Sequence, residues 1–132
     1  METKRPRVLV VDDEESVRHI LRTVLERQGC DVCEAGSAEE ALQLLPQASP
    51  AVAIVDILLP GKSGLALLDE ITSRRPDCRV IVITGDSSPQ TAGQVARLGA
   101  SGFLEKPFES LEKIWATVQG ALAMSAEPLL RT

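Results

Sequence analysis

The chain has 132 residues, of which 44% are hydrophobic and 25% are charged, a size and composition typical of one compact domain. A formal net charge of −5 gives a nucleic-acid backbone no reason to bind. No apolar run approaches the roughly 20 residues of a membrane helix, and the N-terminal residues contain no signal-peptide hydrophobic region. We therefore expect a cytoplasmic protein without nucleic-acid or membrane contacts.

Five apolar runs rich in β-branched residues alternate along the chain with five stretches of helical periodicity. This alternation is typical of an α/β fold in which helices cover both faces of a parallel sheet, giving three layers. Strands covered on both faces are apolar throughout, as these runs are. The predicted strands are residues 7–11, 32–35, 51–55, 79–83 and 102–106.

Capping and breaking residues bound the first three predicted helices. Gly29 is placed to end the first helix, and the Ser-x-x-Glu capping box that begins at Ser37 opens the second. We expect Pro46 to close that second helix, because proline has no amide hydrogen to donate. The third helix is expected to end before Pro76.

The C-terminal part of the chain contains two further predicted helices. The first, over about residues 89–98, is weakly predicted because it contains glycine. The second carries apolar residues on one face from Leu111 to Leu122, and the periodicity is lost after Met124. We therefore expect a domain over residues 1–124 and a tail or the start of a linker over residues 125–132.

The three cysteines, Cys30, Cys33 and Cys78, form an odd set, which fits a reducing compartment better than a disulfide framework. Cys30 and Cys33 form a Cys-x-x-Cys pair in a strand-like run, whereas a redox pair belongs at a helix N-terminus. A zinc site needs four ligands, and the chain has a single histidine. We interpret the cysteines as small buried or half-buried hydrophobic residues.

Polar residues follow the apolar strands at the point where each strand ends. They are Asp12, Asp13, Asp56, Thr84 and Lys106. Taken singly, Asp12 or Asp13 could simply cap the following helix. The carboxyl ends of parallel strands lie along one edge of an open α/β sheet, where ligands bind. The sequence therefore predicts that three carboxylates, a hydroxyl and an ammonium meet at one site.

This set of side chains predicts a cation and phosphoryl chemistry. Three carboxylates in one cleft repel one another unless a cation compensates them, and oxygen ligands without sulfur or imidazole favour Mg²⁺. A carboxylate can then act as a nucleophile and form an aspartyl-phosphate, if metal and ammonium neutralise the phosphoryl oxygens. Lys106 fits that ammonium, and Thr84 fits a hydroxyl donor to a phosphoryl oxygen.

Four segments together resemble the receiver, or phosphoacceptor, domain of bacterial two-component response regulators. Residues 10–14 are similar to its acidic metal-binding segment, residues 55–61 to its phosphorylation loop, residues 82–85 to its switch-threonine strand and residues 103–108 to its lysine-proline end. The resemblance covers roughly residues 7–122. It implies a flavodoxin-like fold with five strands in the order 2-1-3-4-5.

The resemblance also implies a role for each residue of the site. Asp56 would be the phosphoryl acceptor. Asp13 and Asp56 would bind Mg²⁺ directly, together with the backbone carbonyl of Leu58, and Asp12 would act largely through a bound water. Lys106 would pair with the phosphoryl group.

A conformational switch and a set of partners follow from the same resemblance. Thr84 would move toward the phosphate, Phe103 would turn inward into the vacated space, and the bond between Lys106 and Pro107 would be cis. The readout would lie on the surface made by the fourth helix, fifth strand and fifth helix, where an output domain or a second copy would dock. A histidine kinase or phosphotransfer protein would donate the phosphoryl group, so the domain would not be an enzyme beyond its own phosphorylation and slow dephosphorylation.

Two positions bear on the lifetime of the phosphate. Leu58, two residues after the acceptor, has no polar atom with which to orient a water molecule. Asp86, two residues after Thr84, places a negative charge near the path of that water. We expect slow loss of phosphate.

Three other functions remain as alternatives. A phosphohydrolase of the haloacid dehalogenase type also uses an aspartate nucleophile and Mg²⁺, but needs an acid at position 58, where this chain has Leu58. A flavodoxin-like mononucleotide binder would need a phosphate-binding loop after the first strand, where Asp12 and Asp13 stand. A receiver domain that takes no phosphate is disfavoured, because every chemical position is filled.

Overall fold

A computed structural model describes residues 5–61, 63–85 and 88–131, with side chains as far as Met124. The strands are β1 (Arg7–Val11), β2 (Asp31–Ala35), β3 (Val52–Asp56), β4 (Arg79–Thr84) and β5 (Gly102–Glu105). The helices are α1 (Glu15–Arg27), α2 (Ala38–Ala48), α3 (Gly64–Arg74), α4 (Pro89–Arg97) and α5 (Leu111–Arg131). The alternation of strand and helix predicted from the sequence is confirmed.

The five strands form one parallel sheet in the order β2-β1-β3-β4-β5. The chain passes from β1 outward to β2 and then returns to the other side of β1 with β3. The strand order therefore reverses between β1 and β3, and a crevice opens there at the carboxyl ends of the strands. The predicted fold class and strand order are confirmed.

Two hydrophobic clusters lie on opposite faces of the sheet, because neighbouring residues of a strand point to opposite sides. In β1, Leu9 and Val11 pack on one face, and Val8 and Val10 pack on the other. All four side chains are fully buried. The cysteines belong to the same interior, with Cys30 and Cys78 buried and Cys33 half-buried, and none forms a disulfide. Burial raises the pKa of the Cys78 thiol to about 12, consistent with an inert core residue.

The predicted end of α2 was wrong, because this helix continues through Pro46 to Ala48. Proline in the last turn deprives the helix of one amide donor, and the last carbonyls of a helix have no partner within it. Here guanidinium groups supply the donors. Arg75 donates to the Pro46 carbonyl at 3.0 Å, and Arg7 donates to the carbonyls of Gln47 and Ala48 at 3.2 and 3.1 Å.

Helix α5 extends to Arg131, through most of the segment 125–132 that the sequence predicts to be a tail or linker start. The division of the chain at Met124 into a domain and a tail stays a prediction. Within the described part of the chain, no helix has both the length and the apolar composition needed to cross a membrane.

Candidate functional site

The carboxyl ends of β1, β3 and β5 bring the predicted carboxylates and lysine into one cluster. One carboxylate oxygen from each of Asp12, Asp13 and Asp56 lies within 4.8 Å of the others. The Lys106 ammonium lies 2.9 Å from Asp12 Oδ2 and 3.0 Å from Asp56 Oδ2. Residues far apart in the sequence thus meet at the edge of the sheet, as predicted.

The three carboxylates differ in their exposure to solvent. Asp12 is fully buried and Asp56 is 4% exposed, whereas Asp13 is exposed. Asp12 and Asp56 therefore form the floor of the cluster, and Asp13 forms its solvent-facing rim. Of the three carboxylates, that of Asp13 is the one most accessible to a ligand from solvent.

One oxygen of each floor carboxylate is held by the backbone of its own loop. Asp12 Oδ1 accepts a hydrogen bond from the Glu14 amide at 2.8 Å, and Asp56 Oδ1 accepts one from the Leu58 amide at 2.9 Å. Such bonds from a residue two positions onward are typical of aspartates that shape a turn. They fix the Oδ1 atoms and leave both Oδ2 atoms facing Lys106.

The pKa values of Asp12 and Lys106 are shifted by their shared environment. Burial raises the pKa of Asp12, and the negative charge of Asp56 adds to this, while the Lys106 ammonium and the Glu14 amide offset part of the rise. Burial by itself would lower the pKa of Lys106, but its contacts with Glu14, Asp12 and Asp56 raise the pKa above its usual value. Lys106 therefore stays a cation, and its positive charge offsets part of the energetic cost of burying the Asp12 and Asp56 carboxylates.

The residues present fit a hard divalent cation. Asp12 Oδ2 is buried, and among the described residues no donor offers it a well-directed hydrogen bond, although the Lys106 ammonium lies beside it as an ion pair. A buried carboxylate oxygen without a hydrogen bond is unusual and calls for a cation or an ordered water. The three clustered residues offer only carboxylate oxygens, the ligands that Mg²⁺ prefers.

Thr84, Phe103 and Pro107 lie around the cluster. Thr84 ends β4 with its side chain fully buried, and its backbone carbonyl accepts a hydrogen bond from the Lys106 amide at 2.8 Å. Phe103 lies beside Val82 in the pairing of β5 with β4 and is half-buried against the core cluster of that sheet face. The peptide bond between Lys106 and Pro107 is cis.

Two positions bear on the lifetime of the phosphate, Leu58 and Asp86. Leu58, whose amide donates to Asp56 Oδ1, is 73% exposed, so an exposed apolar residue follows the acceptor closely. Asp86 lies outside the described residues.

Sequence reasoning did not assign a site role to Glu14, Arg18 or Gly64. Glu14 Oε1 accepts a hydrogen bond from the Lys106 ammonium at 2.8 Å, and Arg18 donates to the Asp12 carbonyl at 2.6 Å. A Cβ atom at Gly64 would lie 2.1 Å from the Asp56 carbonyl oxygen, so only glycine lets α3 begin this close to Asp56. The position of Glu14 directly after Asp12 and Asp13 could have indicated a role at the site. The sequence around Gly64 indicates only a turn.

Comparisons with known proteins agree on one family. The family model described as the response regulator receiver domain matches residues 8–119. The transcriptional regulatory protein FixJ of Azorhizobium caulinodans is 38% identical over 120 residues, which are 91% of this chain and 56% of FixJ. The chain thus spans little more than half the length of that curated relative.

Solved structures lead to the same family. The receiver domain of NtrX from Brucella abortus is 36% identical, with a TM-score of 0.82, and the match covers 88% of this chain and 98% of that domain. A receiver domain protein of the CheY-like kind from Methanospirillum hungatei is 26% identical, with a TM-score of 0.88 over 95% of this chain and 99% of the other.

Proposed function

This chain belongs to the response regulator receiver domain family, and from that premise we propose that it accepts a phosphoryl group on Asp56 as one step of a phosphorelay. The observation that carries the proposal is the setting of Asp56 at the end of β3. Its carboxylate is nearly buried, lies 3.0 Å from the Lys106 ammonium and belongs to the three-carboxylate cluster. A buried nucleophile between a lysine and a cation-binding cluster is what phosphoryl transfer to a carboxylate requires.

The donor is a histidine kinase or a phosphotransfer protein that carries phosphohistidine. An Asp56 carboxylate oxygen attacks the phosphorus, a new O–P bond forms, and the N–P bond to the donor imidazole breaks. The leaving nitrogen keeps the electron pair of that bond, and the donor histidine, whose other ring nitrogen carries a proton, is released as a neutral imidazole. Lys106 pairs with the phosphoryl oxygens and offsets the charge that the transfer brings to Asp56.

Asp13 and Asp56 would hold Mg²⁺ directly with the carbonyl of Leu58, and Asp12 would act largely through a bound water. When bound, the metal neutralises charge on the phosphoryl oxygens. The Asp12 Oδ2 atom, which is paired with Lys106 but has no well-directed hydrogen bond among the described residues, and the purely oxygen-bearing cluster support this assignment.

Phosphorylation is read out through Thr84 and Phe103. The new phosphoryl group carries between one and two negative charges and strong acceptor oxygens, which the Thr84 hydroxyl can approach. Phe103 then turns inward and shifts the equilibrium of the surface formed by α4, β5 and α5. The contact of the Lys106 amide with the Thr84 carbonyl supports a link between acceptor site and readout surface. An output domain or a second copy of the chain docks there.

The phosphate is lost slowly, because the exposed apolar side chain of Leu58 cannot orient an attacking water. Because Leu58 also stands where a haloacid dehalogenase needs an acid, the chain does not turn over external phosphate esters. Phosphoryl transfer to its own Asp56 and the slow loss of that phosphate are the chemistry we assign to it.

Incubation with acetyl phosphate and Mg²⁺, followed by intact-protein mass measurement, tests the proposal. We expect the wild type to gain one phosphoryl group and Asp56→Asn to gain none. Asp69→Asn removes an exposed aspartate from α3 and is the matched control, which should be modified like the wild type. No gain in the wild type, or an equal gain in Asp56→Asn, contradicts the proposal, and phosphate release from excess p-nitrophenyl phosphate would favour the hydrolase.

A further inference from the structure

The guanidinium of Arg18 joins the loop after β1 to the neighbouring strand β2. Its Nη1 atom donates to the backbone carbonyl of Asp12 at 2.6 Å, and its Nε atom donates to Glu34 Oε1 at 3.0 Å. The Arg18 side chain is 17% exposed and that of Glu34 is 25% exposed. This is a largely sheltered bridge, unlike a solvated surface ion pair.

The carbonyl that Arg18 holds belongs to the peptide unit between Asp12 and Asp13. Because a peptide unit is planar, fixing the Asp12 carbonyl also fixes the direction in which the chain enters Asp13. The amide of Asp12 is held as well, since it donates to the Ala35 carbonyl at 3.1 Å. Residue 12 is therefore tied to β2 directly through its amide and, through Arg18 and Glu34, by its carbonyl.

We propose that Arg18 is a positioning residue for the metal site: it holds the Asp12–Asp13 peptide so that both carboxylates face one Mg²⁺ ion, and Glu34 holds Arg18 in place. The inference rests on the proposed Mg²⁺ site of this chain. Without Arg18 the loop must find its orientation only when the ion arrives, so binding is weakened by the ordering of that loop. The phosphoryl transfer step itself, once the ion is bound, keeps all of its reacting groups.

Arg22 provides an internal control for this proposal. It lies one helical turn after Arg18 on α1 and pairs with the other oxygen of the same Glu34, and with Glu26 at 3.1 Å. Among the described residues, Arg22 has no hydrogen bond or ion pair with the loop after β1. Arg18→Met and Arg22→Met thus each remove one positive charge from α1 and one ion-pair partner from Glu34. Only Arg18→Met also removes the hydrogen bond to the Asp12 carbonyl.

The test is a Mg²⁺ titration followed by the amide NMR shifts of Asp13 and Leu58, which needs no phosphodonor. We expect the dissociation constant for Mg²⁺ to rise about tenfold in Arg18→Met, the range found when a group that orients a metal ligand is removed, and to change less than about twofold in Arg22→Met. In the metal-free protein, Arg18→Met should also shift the Asp13 amide. The acetyl phosphate reaction rate at saturating Mg²⁺ should stay within about twofold of the wild type.

Two further variants separate geometry from charge and protect the test against loss of folding. Arg18→Lys keeps the charge but loses the planar fork that reaches two acceptors, so it should bind Mg²⁺ weakly as well. Full wild-type affinity in Arg18→Lys would show a charge effect and overturn the proposal. If Arg18→Met does not fold, Glu34→Gln loosens Arg18 while keeping an acceptor, and an affinity equal to the wild type in that variant overturns the proposal too.

The outcomes distinguish this inference from the function on which it rests. A wild type that binds no Mg²⁺ overturns the proposed function and the inference with it. A wild type that binds Mg²⁺, with Arg18→Met equal to Arg22→Met, overturns the inference alone.

Discussion

The two edges of the sheet use charge in opposite ways. At the carboxyl edge, Asp12 and Asp56 share the Lys106 ammonium as an ion-pair partner, and Asp13 lies in the same carboxylate cluster. At the amino edge, arginines donate to backbone carbonyls at the ends of helices. The bonds join Arg5 to the Gly29 carbonyl after α1, Arg7 to the Gln47 and Ala48 carbonyls of α2, and Arg75 to the Pro46 carbonyl.

The difference separates residues that stabilise the fold from residues that act on a ligand. A cation at a helix C-terminus is favoured both by its hydrogen bonds and by the helix dipole, so the charge of each of these three arginines is favoured by its surroundings. A buried carboxylate beside two others does not, because like charges disfavour each other's ionised form. Local conflict of this kind persists where function requires it. If the two edges are separate in this sense, a variant at one edge should leave the properties of the other unchanged.

The largest expected effect comes from Gly64, which lets the start of α3 lie directly against the backbone of Asp56. In Gly64→Ala the new Cβ atom would meet the Asp56 carbonyl oxygen at 2.1 Å, and backbone cannot yield as a flexible side chain can. We expect urea denaturation to show a loss of at least about 3 kcal/mol of unfolding free energy, and phosphorylation of Asp56 to fall.

Gly120→Ala is the matched control. Gly120 lies in α5 with open space where a Cβ would point, so this change should stabilise the protein by about 0.5–1 kcal/mol. A Gly64→Ala protein within about 1 kcal/mol of the wild type would contradict the tight contact between α3 and the Asp56 backbone.

The next effect concerns the amino edge. Arg7→Met removes two hydrogen bonds to the last turn of α2. We expect a loss of about 1 kcal/mol in the unfolding free energy, because the side chain is partly exposed and solvent replaces some of the interaction. Arg74→Met, which breaks an exposed pair with Glu70 within α3, should cost at most about 0.5 kcal/mol. The affinity for Mg²⁺ should be unchanged in both variants. A weaker affinity in Arg7→Met would show that the two edges are energetically coupled and contradict their separation.

The sequence predicted those features that depend on local pattern. Alternating apolar runs and helical periodicity indicate the elements, because strand and helix each impose a repeat on their own residues. The meeting of Asp12, Asp56 and Lys106 was predictable for a related reason, since parallel strands place all their carboxyl ends at one edge. The strand order came from the resemblance to receiver domains.

Features that depend on contacts between distant residues were missed or predicted wrongly. Glu14 and Lys106 are 92 positions apart, and no local pattern links them. Arg18 lies in a helix, and the sequence pattern around it does not distinguish it from a solvent-exposed arginine. Pro46 was interpreted as a helix end, because the donors that compensate for it, Arg7 and Arg75, lie outside its own helix.

The smallest effect, and the one with a distinctive pH dependence, is expected at Asp12 in the absence of Mg²⁺. Asp12→Asn keeps an Oδ1 atom to accept the hydrogen bond from the Glu14 amide but removes a buried charge, so we expect a gain of about 0.5–1 kcal/mol in unfolding free energy at pH 7.

Burial raises the pKa of Asp12 above its ordinary value of 3.8, so the folded protein holds this proton more tightly than the unfolded chain. The loss of unfolding free energy caused by the buried Asp12 charge is therefore complete above the raised pKa and absent below the ordinary value. The advantage of Asp12→Asn should shrink as the pH falls toward 3.8, and thermal unfolding across that range would contradict this account if the gain stayed constant. In the double variant Arg7→Met/Asp12→Asn at pH 7, the two effects should add within about 0.5 kcal/mol, because Arg7 and Asp12 lie at opposite ends of β1 and share no hydrogen-bond or ion-pair partner among the described residues.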